Sequence, residues 1–122
     1  KMKDYLVITD NPLAKENLEL DINYCQTLDE VLQKTRDLVH SGYQLVTHPL
    51  SGSVKPVQNP YKSIVLKKEN KLDYRSLEIM EATLVKVEQF KKNHTPRDYP
   101  QKLLHDYQVI DFELLKSGLK EI

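Results

Sequence analysis

Between His48 and Lys62 the chain gathers residue types suited to holding an anion. They are an imidazole, two hydroxyls flanking a glycine in Ser51-Gly52-Ser53, and two ammonium groups, Lys55 and Lys62. The central glycine of a Ser-Gly-Ser turn reaches positive φ without strain. Such a turn can aim successive backbone N–H groups into one concavity, an anion nest. Lys55 and Lys62 would add charge from the loop ends, and His48 would supply a proton or a ligand hydrogen bond. Each feature also has a plainer reading. Ser-Gly-Ser alone is more often a solvated turn, and a histidine ending a strand often bonds only to its own loop. The segment lacks the G-x-x-x-x-G-K pattern and leads to a strand rather than a helix, so it is no Walker loop.

The length and stiffness of the segment weigh toward function. Connections in compact domains have medians of about 4–6 residues, and the run His48–Tyr61 is much longer. Pro49, Pro56 and Pro60 fix their own φ and push His48, Lys55 and Asn59 toward extended backbone, which lowers the entropy lost on ordering.

A second group, Thr9-Asp10-Asn11, follows a short apolar run, Tyr5–Thr9, that reads as a strand. Asn11 and Pro12 form a helix start, and Asp10 reads equally as a general base or a capping residue. Residues 18–24 alternate with period two, as expected of a strand with one covered face at a sheet edge. Thr27 and Glu30 form a capping box opening a helix with Leu28, Val31, Leu32, Thr35, Leu38 and Val39 on one side and Gly42 as the left-handed stop. Tyr43–Thr47 and Ser63–Leu66 read as strands. Asp73 caps a long helix reaching about Asn93, with Tyr74, Leu77, Met80, Leu84 and Val87 on its apolar side and Ile79, Thr83 and Phe90 widening it. A final helix repeats Leu103, Tyr107, Ile110 and Leu114 and ends near Gly118.

Strands separated by helices argue for a single α/β domain over residues 1–122. The expected form is a small three-layer sandwich with a mostly parallel four-stranded sheet in flavodoxin-like order and two long C-terminal helices. No helix separates the last two strands, so the direction of the strand after the loop stays open. In an order 2-1-3-4 the first and third strands are neighbours. Ligands of open sheets bind beyond the carboxyl ends of strands. The candidate binding set is therefore Thr9, Asp10, Asn11, His48, Ser51, Gly52, Ser53, Lys55 and Lys62, with His48 the only catalytic candidate.

Composition narrows the partners. Eighteen Lys plus Arg balance eighteen Asp plus Glu, which argues against a general nucleic-acid or membrane-surface binder. No apolar run approaches the roughly 20 residues that span a bilayer. Cys25 is the sole cysteine, so no internal disulfide is possible; its plainest role is a small buried hydrophobe. His40, His94 and His105 are scattered and suggest no metal site, and no cofactor motif is present. The N-terminal residues show no export pattern, so a cytoplasmic protein is expected.

The run Val46-Thr47-His48-Pro49-Leu50-Ser51-Gly52-Ser53-Val54-Lys55-Pro56, followed by Asn59-Pro60-Tyr61-Lys62-Ser63, resembles the signature segment of the GrdX family. The opening Val7–Leu13 is also similar to the start of that family. The family accompanies glycine reductase and related amino-acid reductases of anaerobic bacteria, selenium- and thioredoxin-linked systems that release acetyl phosphate. The resemblance implies that metabolic setting and makes glycine reductase subunits candidate partners, but it transfers no catalytic residue.

Three functions follow as expectations. The first is an accessory protein binding a small anion, phosphate or acyl phosphate, or a reductase subunit through the His48–Lys62 loop. The alternative is a hydrolase or transferase acting on a phosphorylated or acylated metabolite, with His48 as acid–base group and Ser51 or Ser53 as nucleophile. The third is an assembly protein whose long helices present a partner or homodimer surface.

Overall fold

The computed structural model describes residues 3–51, 59–93 and 99–122. Gly52, Ser53, Lys55 and His94 lie outside the described residues. The elements run β1 (Tyr5–Thr9), α1 (Pro12–Asn17), β2 (Asp21–Tyr24), α2 (Leu28–His40), β3 (Tyr43–Leu45), β4 (Ser63–Lys68), α3 (Tyr74–Asn93) and α4 (Gln101–Lys120).

Local chemistry explains most boundaries. Asn11 caps α1, its side-chain oxygen accepting from Leu13 N–H at 3.1 Å, and Pro12 occupies the first helical position. Thr27 Oγ1 accepts from Glu30 N–H at 3.1 Å, while Glu30 reaches back one residue further than a standard capping box, to Gln26 N–H at 3.4 Å. Gly42 follows α2 with φ +110° and offers its carbonyl to both Glu69 N–H and Asn70 N–H at 3.0 Å. Asp73 accepts from Ser76 N–H at 3.0 Å and so caps α3.

The sheet order is β2-β1-β4-β3. Only β1 and β2, joined through α1, run parallel; β4 is antiparallel to both β1 and β3. The sheet is therefore mixed, not mostly parallel, and β1 neighbours β4 rather than β3. Neither the flavodoxin-like arrangement nor the order 2-1-3-4 holds. The reason is covalent: a parallel pair needs a crossover, usually a helix, and none separates β3 from β4. With β4 reversed, the carboxyl ends of β1 and β3 and the amino end of β4 still meet at one end of the sheet.

Alternation along the strands feeds two cores. Ile8, Ile64 and Leu66 pack on one face with Val31, Leu32 and Val39 of α2 and Met80 and Val87 of α3. Val7 and Val65 pack on the other with Ala14 of α1 and Leu115, Phe112 and Leu119 of α4. Helices thus cover both faces. Among the described residues no helix is long and apolar enough to cross a membrane.

The expected apolar side of α3 faces the core, with Met80, Thr83 and Val87 buried and Leu77, Ile79 and Leu84 packed beside them, although Tyr74 is exposed and Ser76 is buried in its place. The expected stripe of α4 is rotated. In α4 the side turned to the protein carries Asp111 and Leu115, whereas Leu103, Ile110 and Leu114 are 38%, 49% and 41% exposed. Periodicity fits either stripe of α4 equally well, because the two differ by one position. What selects the polar one is hydrogen bonding, described below.

Gly118 does not end α4 but lies inside its last turn. A Cβ there would stand 3.0 Å from Thr47 Cγ2, so glycine permits a close approach of α4 to the end of β3. Thr47 has little freedom to yield, since its Oγ1 accepts from Val65 N–H at 3.0 Å. Alanine favours a helix over glycine by about 1 kcal/mol. Gly118→Ala is nevertheless expected to lower the melting temperature. In a Thr47→Ser background, where Cγ2 is gone, the same change should become neutral or stabilising. Thermal unfolding of the four proteins checks this.

Candidate functional site

The shared end of β1 and β4 carries a buried polar cluster unlike the rest of the core. Thr9, Asp10, Asn11, Lys62 and Asp111 are all 6% exposed or less. Their burial is tolerable because each polar group finds a partner. Asn11 N–H donates to Thr9 Oγ1 at 3.0 Å, and Thr9 Oγ1 lies 2.7 Å from Ser63 Oγ. Ser63 Oγ is 2.6 Å from Asp111 Oδ2. Because Ser63 spends its hydroxyl hydrogen on the carboxylate, Thr9 must donate to Ser63. The ring closes through Asn11 Nδ2, which donates to Asp111 Oδ2 at 2.9 Å and to the Gln108 carbonyl at 2.9 Å. Ser63 N–H reaches Asp111 Oδ1 at 3.1 Å. Asp111 thus accepts three hydrogen bonds and ties α4 to β4 and to the cap of α1.

Asp10 sits next along β1, on the neighbouring position of the β1–β4 ladder. Its Oδ1 accepts from Lys62 N–H at 2.9 Å. Burial pushes the Asp10 carboxyl from 3.8 up to about 7; the charge of Asp111 adds to this and the Lys62 N–H bond opposes it. Burial also lowers the Lys62 ammonium below its ordinary value, against the pull of Asp111 and Asp10. The same buried acid reaches beyond the pair. Burial, the Glu30 charge and then the Asp10 charge raise the Cys25 thiol, so Cys25 is held as a neutral thiol.

Lys62 also lines a pocket of about 390 Å³ between α4 and the end of β3. One wall comes from the long connection: Thr47, His48, Ser51, Asn59 and Tyr61. The other comes from α4: Tyr107, Ile110, Asp111, Leu114, Gly118 and Glu121. The wall residues are held in place from behind. Asn59 donates to the Tyr107 carbonyl at 3.1 Å and accepts from Tyr61 N–H at 2.8 Å, while Gln108 Nε2 donates to Tyr61 Oη at 3.0 Å. His48 Nδ1 accepts from Leu50 N–H at 3.1 Å, so in the neutral ring the proton resides on Nε2.

Of the residues singled out in the sequence, His48, Ser51 and Lys62 line this pocket together. Thr9, Asp10 and Asn11 do not; they form the buried layer on which Lys62 and Ser63 rest. They do not face the loop across an open crevice, because β4 lies between β1 and β3. Asp10 is not the cap of α1, a role taken by Asn11. Ser63, Asp111, Asn59, Tyr61 and Tyr107 are not among the binding residues that the sequence pattern offers. Asp111 alone carried a signal, as a lone acid within Val109-Ile110-Asp111-Phe112. Among the described residues no group of three or more His, Cys, Asp or Glu could hold a metal ion.

The family model described as GrdX-like protein matches residues 6–120 of the chain. The chain belongs to the GrdX-like family. No curated protein and no solved structure matches it. The GrdX-like match spans the whole buried ring and every pocket residue named above except Glu121.

The Asp10 shift fixes the sign of a pH effect. Well below pH 4 the carboxyl is protonated in folded and unfolded chains alike. Between there and about 7 the unfolded chain ionises first, so stability falls as pH rises, by about 1.4 kcal/mol per unit of pKa separation, and then levels off. Asp10→Asn keeps the acceptor for Lys62 N–H and is expected to remove this slope. Urea unfolding of both proteins from pH 4 to 8 measures the difference, and parallel curves would refute the assignment.

Proposed function

We propose that this GrdX-like protein is an accessory protein of an amino-acid (glycine) reductase system that binds a small anionic ligand in the pocket lined by α4 and by His48, Ser51 and Lys62. The observation that carries this reading is Lys62, a lysine 6% exposed that lines the same pocket as His48 and Ser51. A buried ammonium attracts an anion far more strongly than a solvated one, because little water screens it. Asp111 and Asp10 both act on the Lys62 ammonium, and burial holds the Asp10 carboxyl near 7, so the charge beside Lys62 depends on pH around neutrality.

His48 Nε2–H and Ser51 Oγ would supply hydrogen bonds to the ligand, each modest alone but directional. The reductase setting comes from the family, whose systems release acetyl phosphate, so phosphate and acetyl phosphate are the first ligands to try. Charge balance agrees with a local rather than a global attraction, since the chain's formal net charge is zero.

Isothermal titration with phosphate and with acetyl phosphate is expected to give saturable binding at millimolar ligand or below. Lys62→Met should weaken it by about tenfold or more, the loss expected of one charge-assisted hydrogen bond. Affinity should also fall as pH rises through 7, because Asp10 then ionises beside Lys62. No heat above background would end this reading. Hydrolysis of acetyl phosphate above the buffer rate, followed by phosphorus NMR, would replace it with the hydrolase alternative.

A further inference from the structure

The pocket is larger and less polar than an inorganic oxyanion requires. A phosphate ion needs donors on all sides, yet along α4 the pocket presents Ile110, Leu114 and Leu115 opposite the polar wall. Its volume of about 390 Å³ falls in the range of sites for whole organic ligands, about 300–1,000 Å³. Ile110 and Leu114 are 49% and 41% exposed although they repeat at helical spacing with Leu103 and Tyr107. A soluble helix normally turns such a stripe inward; here the buried ring at Asp111 holds it outward, over the pocket.

We infer that the ligand is an amphipathic organic anion with a single charged head group, which sits at Lys62, and an aliphatic body, which lies along Ile110 and Leu114. This rests on the anion site proposed above and specifies its ligand class. The head group has Lys62, His48 and Ser51 as partners, all on the loop side. The body displaces water from the leucine and isoleucine side chains, and that apolar burial adds affinity in proportion to chain length.

The far end of the same wall disfavours a second anionic group on the ligand. Glu121 caps the C-terminus of α4, ten residues or about 15 Å beyond Asp111 along the helix. Its carboxylate and the negative end of the helix dipole oppose a second anionic group there. A linear dianion would place its distal charge toward Glu121, whereas a methyl-ended chain would not.

Titration calorimetry on the full chain with phosphate, acetate, butyrate, hexanoate and adipate distinguishes the possibilities. Affinity is expected to rise from acetate to hexanoate by about fourfold per added methylene until the wall is covered. Adipate should bind more weakly than hexanoate. Leu114→Ser, a change at an exposed position, should reduce the affinity for hexanoate by a larger factor than that for acetate. If phosphate and acetate bind as well as hexanoate, the apolar body is wrong and the anion site stands. If none of the five binds, both readings fall. Tighter binding of adipate than of hexanoate would overturn the role given to Glu121.

Discussion

The carboxylate of Asp111 decides how the last helix sits, and the rest of the site depends on that choice. Two stripes of α4 compete for the sheet. One, Leu103-Tyr107-Ile110-Leu114, is wholly apolar or aromatic; the other, displaced by one residue, carries Gln108 and Asp111. Apolar burial alone favours the first. The second wins because Asp111 meets three donors, from Ser63 N–H, Ser63 Oγ and Asn11 Nδ2, that would otherwise be buried without partners. An unsatisfied buried donor costs about 1–3 kcal/mol, and hydrogen bonds to a charged group contribute about 1.5–3 kcal/mol each. The sum outweighs what burying Ile110 and Leu114 would add, about 1.5–3 kcal/mol for each side chain on full burial and less here, since both are already partly covered. Polar specificity here sets the rotation of a helix.

That rotation explains why the pocket has two chemistries. With Asp111 turned inward, Ile110 and Leu114 line the pocket together with Thr47, His48 and Ser51, and Gly118 lets α4 approach Thr47 closely. Lys62 is buried where the strand emerges beneath them. The same end of the sheet holds Asp10, whose carboxyl burial pushes up to about 7, so the charge beside Lys62 changes across the physiological range. A chain with no net charge thereby concentrates a titratable field at one point.

Much of this was legible in the sequence where the signal is local. The cap at Asn11, the stop at Gly42 and the strand Tyr5–Thr9 follow from residue types a few positions apart, and all three stand where expected. The strand direction at β4 was not local: it depends on whether a helix intervenes, and the sequence pattern alone left both pairings open. The α4 stripe misled for a physical reason. Hydropathy scores Asp111 as a surface residue because it counts desolvation and not the donors waiting on Ser63 and Asn11, about fifty and a hundred residues away in the chain. Of the residues that the loop pattern singled out, His48, Ser51 and Lys62 line one pocket, whereas Thr9, Asp10 and Asn11 are buried beneath β4's end rather than facing a crevice.

The account therefore stands on the coupling between Asp111 and Ser63, which a double-mutant cycle in urea measures directly. Asp111→Ala, Ser63→Ala and the double variant are compared with the parent protein. The buried ring predicts strong non-additivity: once Asp111 is gone, removing the Ser63 hydroxyl should cost little more, giving a coupling of about 1–3 kcal/mol. Additive losses within about 0.5 kcal/mol would show that the two side chains do not act together and would contradict the orientation of α4 on which the pocket is built.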